Sequence, residues 1–216
     1  MKIRSTLTLT RRAGFTLIEM MAVMVILAIL TTFLAFRLGG MTEAAKVSLT
    51  KGYLKELSLA ISGFESESGD YPPSAWKSEW GATPNKTNLG GEVLCLTLFA
   101  KDGNLTSLSE DKLCNSDEDE AKKSLTSHAN NDLFEFGDQW ENPIAYFHRR
   151  DYDREDLYQT IEGESGLWTD STVKALVNPK TGNPFNPRTF QLISAGEDGL
   201  FGTSDDLANF EIGPRE

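Results

Sequence analysis

Residues 11–36 read RRAGFTLIEMMAVMVILAILTTFLAF, an apolar run holding one carboxylate, Glu19, four residues after Phe15. From Phe15 to Phe36 there are 22 residues, broken only by Thr16, Glu19, Thr31 and Thr32. As a helix rising about 1.5 Å per residue the segment reaches about 33 Å, against a bilayer hydrocarbon core of about 30 Å. The length predicts a spanning helix. An acid inside such a helix costs roughly 2.5–3.5 kcal/mol on insertion scales, so Glu19 needs a reason to be there. Lys2, Arg4, Arg11 and Arg12 precede the run, with no acid among residues 1–14. That basic leader places the N-terminus in the cytoplasm and the body outside, by the positive-inside rule.

A secretory signal peptide would end in small residues of the A-x-A kind, and FLAFRLGG (33–40) matches that poorly. A plain signal anchor gives Glu19 no role. The residues RRAGFTLIEMM (11–21) resemble the prepilin signature of type IV pilins and type II secretion pseudopilins. The resemblance implies that a prepilin peptidase removes residues 1–14 by cutting between Gly14 and Phe15, and N-methylates Phe15. It also makes Glu19 the fifth residue of the mature chain. Cleavage leaves a charged amine on Phe15, which Glu19 of a neighbouring subunit can reach when helices pack with an axial offset. Each charge then loses its unpaired burial cost and the pair sets the register. Glu19 reads as an assembly residue rather than a catalytic one.

Working outward, the amphipathic continuation is clear. Val47, Thr50, Leu54, Leu57, Ile61 and Phe64 recur at spacings of three and four, the stripe of a core-facing helix. Gly69 and the pair Pro72-Pro73 predict its end near Glu67. Midway, Gly39 and Gly40 each cost about 1 kcal/mol relative to Ala, which predicts a bend or melted turn. Relatives of this kind usually carry Pro at the end of the apolar run, where this chain has Phe36. The organisation predicted is leader 1–14, transmembrane and assembly helix 15–38, amphipathic continuation 39–67 and exterior domain 68–216.

The chain of 216 residues is 39% hydrophobic, enough for one ordinary domain with an appended element. Its formal net charge is −11; with four positive charges on the leader, the remainder carries −15. A body that acidic is a poor nucleic-acid binder, because phosphate contacts need clustered Lys and Arg. Two cysteines are present, Cys95 and Cys114. In an exported domain they could pair as one disulfide; otherwise Cys95 is a small buried hydrophobe and Cys114 a loop thiol.

In the body, GDYPPS (69–74) resembles the segment after the long helix in the major pseudopilin of type II secretion. DQWENPIAY (138–146) resembles a pseudopilin turn-and-strand pattern through Asp138, Trp140, Asn142, Pro143 and Tyr146, with Gln139 and Glu141 departing from it. IAYFH and TFQLIS (189–194) read as strands, an antiparallel pair packed on the helix. EVLCLTLF (92–99) reads as a helix turn or a buried strand, and SDEDE (116–120) as a solvated face. Residues 149–188 read as a surface insertion, and HRRDYD (148–153) as a solvated strand end rather than a metal site. No phosphate loop or nucleophile signature stands out.

SAGEDGLFGTSDDL (194–207) combines three glycines, which allow tight turning, with Asp198, Asp205 and Asp206 as hard oxygen ligands. The plain alternative is a metal-free Gly-Asp turn cluster. The segment resembles the calcium loop of the major pseudopilin. That resemblance implies calcium held by these three aspartates and by carbonyls of Ala195 and Leu200. The expected fold is therefore α+β and pilin-like: a long N-terminal helix on a small antiparallel sheet, with a C-terminal calcium-type loop. The function implied is structural, a subunit of a type II secretion pseudopilus in the inner membrane, single-pass with its C-terminal domain periplasmic. Its partners would be copies of itself, other pseudopilins, prepilin peptidase and the inner-membrane secretion platform, with no nucleic acid. A type IV or DNA-uptake pilus subunit is the nearest alternative. A membrane-anchored, calcium-dependent hydrolase is the rival from another class.

Overall fold

A computed structural model describes residues 17–213 apart from 82, 84, 101–107, 129 and 164, and no side chains for 33–41. The chain divides into two compact units, Met1–Thr42 and Glu43–Glu216. Helix α1, Leu17–Ser68, begins in the first and continues into the second. It is unbroken at Gly39 and Gly40, so the melted turn expected there is absent. The pair is flanked by strong helix formers such as Leu38, Met41, Glu43, Ala44 and Ala45, which offset the glycine cost.

In the second unit the predicted stripe faces inward. Thr50, Leu54, Leu57 and Ile61 are buried and Val47 and Phe64 half-buried, while Lys51, Lys55 and Glu56 are exposed. The helix stops where Gly69 takes φ +80° and donates its amide to the Glu65 carbonyl at 2.7 Å. A left-handed residue at that place caps the last turn, and Pro72 and Pro73 carry the chain away. Tyr146 then ties the departing loop down, its hydroxyl donating to the Pro72 carbonyl at 2.6 Å.

The ambiguous run EVLCLTLF is helical, as part of α2, Leu89–Leu98. Every residue from Gly90 to Leu98 is buried, so no amphipathic stripe could show in the sequence. Gly90 is needed for that burial: a Cβ there would stand 2.4 Å from the Tyr146 carbonyl oxygen.

Both expected strands form. β3, Ala145–His148, and β6, Phe190–Ser194, pair antiparallel with Ala145 opposite Ile193 and His148 opposite Phe190. The short β7, Leu207–Ala208, extends this sheet in the order β3-β6-β7. All nine residues of β3 and β6 are buried because both faces are covered. Tyr146, Phe190 and Leu192 pack with Leu54, Leu57 and Ile61 of α1 and Leu94 and Leu98 of α2. Ala145, Phe147 and Ile193 pack on the other side with Tyr158 and Val173. A separate pair, β1 (Leu113–Cys114) and β2 (Glu135–Phe136), sets Cys114 opposite Glu135.

The stretch 149–188 is not a surface insertion. It holds an antiparallel hairpin, β4 (Glu155–Ile161) and β5 (Trp168–Lys174), that covers the second face of the sheet. Tyr158 of β4 is fully buried, and its hydroxyl accepts from the amides of Gly91 at 3.0 Å and Tyr146 at 3.1 Å. One side chain thus joins the hairpin, α2 and β3. His148 is buried too rather than solvated, with Nε2 3.4 Å from an Asp70 carboxylate oxygen and Nδ1 accepting from the Arg150 amide. The architecture is α+β, with the N-terminal helix on small antiparallel sheets, and is compatible with a pilin-like fold.

Candidate functional site

The cleavage pair Gly14 and Phe15 lies outside the described residues. Glu19 stands in the first turn of α1. From Leu17 to Thr32 every residue is exposed, among them Leu17, Ile18, Met24 and Ile29. So large an apolar surface calls for a nonpolar environment or for other chains. Its two threonine hydroxyls need no water, because Thr31 donates to the Leu27 carbonyl and Thr32 to that of Ala28, each at 2.8 Å. Among the described residues no helix is long and apolar enough to cross a membrane. The described side chains of this run stop at Thr32.

The C-terminal loop is pinned against the hairpin. Gly163 donates its amide to the Asp198 carbonyl at 2.9 Å, and the Thr160 hydroxyl donates to that of Gly199 at 2.6 Å. Gly199 has φ +70°, and a Cβ there would lie 2.0 Å from the Ile161 carbonyl oxygen, so only glycine fits. Asp198 accepts from the Leu200 amide at 2.8 Å; Asp205 accepts from the Asp198 amide at 2.9 Å and from the Thr203 hydroxyl. Asp206 accepts from the Gly202 amide at 2.9 Å. Burial works to raise the Asp205 pKa, but the Thr203 hydroxyl and the amides of Asp198, Asp205 and Glu197 outweigh it and hold the group below its ordinary value.

The residues of this loop fit calcium in chemistry. The donors are hard oxygens, and the space a Cβ would take at Gly196 is bounded by the Asp205 carbonyl and carboxylate, 2.5 and 2.6 Å away. The three carboxylates do not, however, come together within 4.8 Å of one another. Asp198, Asp205 and Asp206 are spent on loop amides, and the Leu200 carbonyl accepts from Thr203 at 3.2 Å. Ala195 is fully buried beside them in sequence.

Cys95 and Cys114 are free thiols, so the disulfide weighed from the sequence is not formed here. Cys95 is buried in α2, and Cys114 turns its Sγ to Glu135, 3.7 Å from both the carbonyl and Oε2. Burial raises both thiol pKa values, with Glu135 the next cause, which keeps them protonated and unreactive.

The acidic run 116–120 also departs from expectation. Glu118 takes φ +54° and stays exposed, which turns Asp117 and Asp119 on either side of it inward, where they hold buried carboxylate oxygens. Their neighbours are Glu92 and Glu135, which sequence reasoning passed over. The signal that singled out Glu19 was present for both. Glu92 heads the apolar run VLCLTLF, and Glu135 stands between Phe134 and Phe136.

Residues 9–35 match the prokaryotic N-terminal methylation motif. No curated protein and no solved structure matches the chain. The chain therefore carries a type IV prepilin-like leader, a motif that in general goes with peptidase processing and polymerisation of a membrane-anchored structural subunit.

Proposed function

We propose that this chain is a structural subunit of a type II secretion pseudopilus, polymerising through the first half of α1. The observation that carries the reading is the methylation motif over residues 9–35, continued by an exposed apolar helix with Glu19 in its first turn. In this reading the run Phe15–Phe36 crosses the inner membrane once, with the basic leader in the cytoplasm and the body in the periplasm. Prepilin peptidase cuts after Gly14 and methylates Phe15. The Phe15 amine then meets Glu19 of the next subunit, and the apolar surfaces of neighbouring helices cover one another.

The motif serves pilus subunits equally, so the choice of a pseudopilus rests on the body. GDYPPS resembles the major pseudopilin and DQWENPIAY a pseudopilin pattern, and they meet through the Tyr146–Pro72 hydrogen bond. Pilins usually end in a Cys-bounded loop. Here the two cysteines lie at 95 and 114, and the C-terminal segment is an acidic glycine-rich loop. Calcium at that loop is part of the same proposal, with Asp198, Asp205, Asp206 and the carbonyls of Ala195 and Leu200 as ligands. Its chemistry would be structural, closing the turn that follows β6.

The test is co-expression of the full chain with prepilin peptidase and a secretion platform. Intact mass is expected to show a chain beginning at N-methylated Phe15, and Glu19→Ala is expected to insert in the membrane while filament yield falls at least tenfold. Normal filaments from Glu19→Ala would refute the docking role. Filaments that form but leave exoprotein export unsupported would favour the pilus reading.

A further inference from the structure

A second acidic site lies inside the body, away from the C-terminal loop. Glu92 in the first turn of α2, Asp117 and Glu135 of β2 bring carboxylate oxygens within 4.8 Å of one another. Oxygens sharing one calcium at about 2.3–2.6 Å lie within about 5 Å of each other, so the span suits that ion. Asp119 adds a fourth carboxylate, whose charge acts on Glu92 more strongly than those of Glu135 and Asp117.

Acids gathered in this way need not bind anything; what distinguishes this group is Glu92. It is 0% exposed, and among the described residues neither of its carboxylate oxygens has a hydrogen-bond partner. Both Asp119 oxygens and Oδ1 of Asp117 are likewise buried without one. The donors that do reach the cluster are neutral and few. Asn88 donates to Glu135 Oε1 at 3.2 Å, the Ser116 amide to Glu135 Oε2 at 3.3 Å, the Cys114 thiol to the same Oε2 at 3.7 Å, and Asn85 to Asp117 at 2.7 Å. Among the described residues no Lys, Arg or His forms an ion pair with any of the four acids. A buried carboxylate with neither donors nor counter-charge is among the costliest arrangements a fold can hold.

We propose that Glu92, Asp117 and Glu135, with the charge of Asp119 close by, bind a divalent cation, calcium, as a structural site that locks α2 to β2 and to the loop between β1 and β2. The donor set is carboxylate oxygen throughout, which selects a hard cation over zinc or copper. Cys114 stands beside Glu135, but its sulfur is a soft donor that a hard cation such as calcium does not favour. Several carboxylates in one enclosed place suit an ion that takes six to eight oxygens better than magnesium, which keeps its waters. The electrostatics agree: burial, then the charges of Asp119, Glu135 and Asp117, push the Glu92 pKa up to about 10 when no cation is there. The site does not depend on filament assembly.

The experiment uses the full chain in detergent, stripped with chelator and titrated with calcium alone, reading stoichiometry by calorimetry and the melting temperature. Wild type is expected to bind calcium and melt higher with it. Glu92→Gln and Glu135→Gln are expected to weaken this binding by roughly 10–100-fold or more. In chelator Glu92→Gln should melt at or above the wild type, since the cost of burying an acid there, as charge or as proton uptake, is gone. Asp198→Asn, in the C-terminal loop, should leave this site intact, so two ions in the wild type and one in Glu92→Gln also supports the proposal. If Glu92→Gln fails to fold, the less buried Asp117→Asn takes its place with the same expectation. Absence of calcium binding, binding lost only in Asp198→Asn, or an equal response to magnesium would overturn the assignment.

Discussion

The two acidic regions of the body solve the same problem in opposite ways. In the C-terminal loop, Asp198, Asp205 and Asp206 lie within nine residues and each accepts an amide of its own loop. In the interior, Glu92, the pair Asp117 and Asp119, and Glu135 come from three separate parts of the chain and find few donors among the described residues. A charge satisfied locally can gain from a cation; one that is not depends on a cation or a proton. The contrast teaches that acid density in a sequence marks the first kind of site and hides the second.

Strand β4 touches both regions and allows them to be disturbed together. Gln159 accepts the Ser116 hydroxyl on its carbonyl at 3.2 Å and donates its amide to Asn88 at 2.9 Å, beside the interior acids. Thr160 and Gly163 hold the loop. Tyr158 anchors the strand, and Tyr158→Phe leaves the Gly91 and Tyr146 amides buried without an acceptor. A loss of about 3 kcal/mol is expected in urea unfolding of the full chain in detergent, with calcium affinity reduced at the interior site. An unchanged midpoint would show that the hairpin is not the shared support.

Gly199→Ala separates the regions. The added methyl meets the Ile161 carbonyl and forces a left-handed backbone on alanine, so about 2–3 kcal/mol should be lost. The damage is expected in the loop alone, with interior calcium binding retained. Loss of both would mean that the two sites are one cooperative structure.

The same contrast explains what could be read from sequence. The α1 stripe and the two central strands were legible because their burial is periodic or continuous and apolar. β4 was not: its inward residues Asp156, Tyr158 and Thr160 are polar, so alternation gave no hydrophobic signal. The interior acids were illegible as a site because the topology of α2, β1 and β2 assembles them. Glu92 and Glu135 were each visible only as a lone acid among apolar neighbours.

Asp138 is the intermediate case, buried but with donors. Its carboxylate accepts from the amides of Trp140 at 2.8 Å and Asn142 at 3.1 Å, and from the Ser194 hydroxyl at 2.6 Å. Burial nonetheless raises its pKa from 3.8 to about 6, the hydrogen bonds and then the Lys112 charge opposing. A raised carboxyl pKa means that the fold prefers the protonated form. The contribution is full below about pH 4 and is lost as pH rises through about 6. Asp138→Asn keeps the two amide acceptor contacts and removes this titration. Wild type should therefore lose on the order of 2 kcal/mol relative to Asp138→Asn between about pH 4 and about pH 7, measured by urea midpoints. Parallel pH curves would assign the donors enough strength to cancel burial.

The smallest effect should come from the loop acids themselves. Asp198 accepts one amide through a local turn, so Asp198→Ala in chelator is expected to cost about 1 kcal/mol, the worth of an ordinary hydrogen bond. In calcium the cost grows if the loop holds the ion proposed there, because the bound state then loses a ligand as well as a turn. Saturation at about a hundred times the dissociation constant contributes about 2.7 kcal/mol, which sets the largest added penalty. Comparing Asp198→Ala with Glu92→Gln in both buffers therefore ranks the two regions directly. The loop substitution should destabilise in chelator and more so in calcium. The interior substitution should be neutral or stabilising in chelator and destabilising only in calcium. That reversal of sign follows from one region having its own donors and the other having few, and melting curves with the same sign for both substitutions in chelator would remove the distinction.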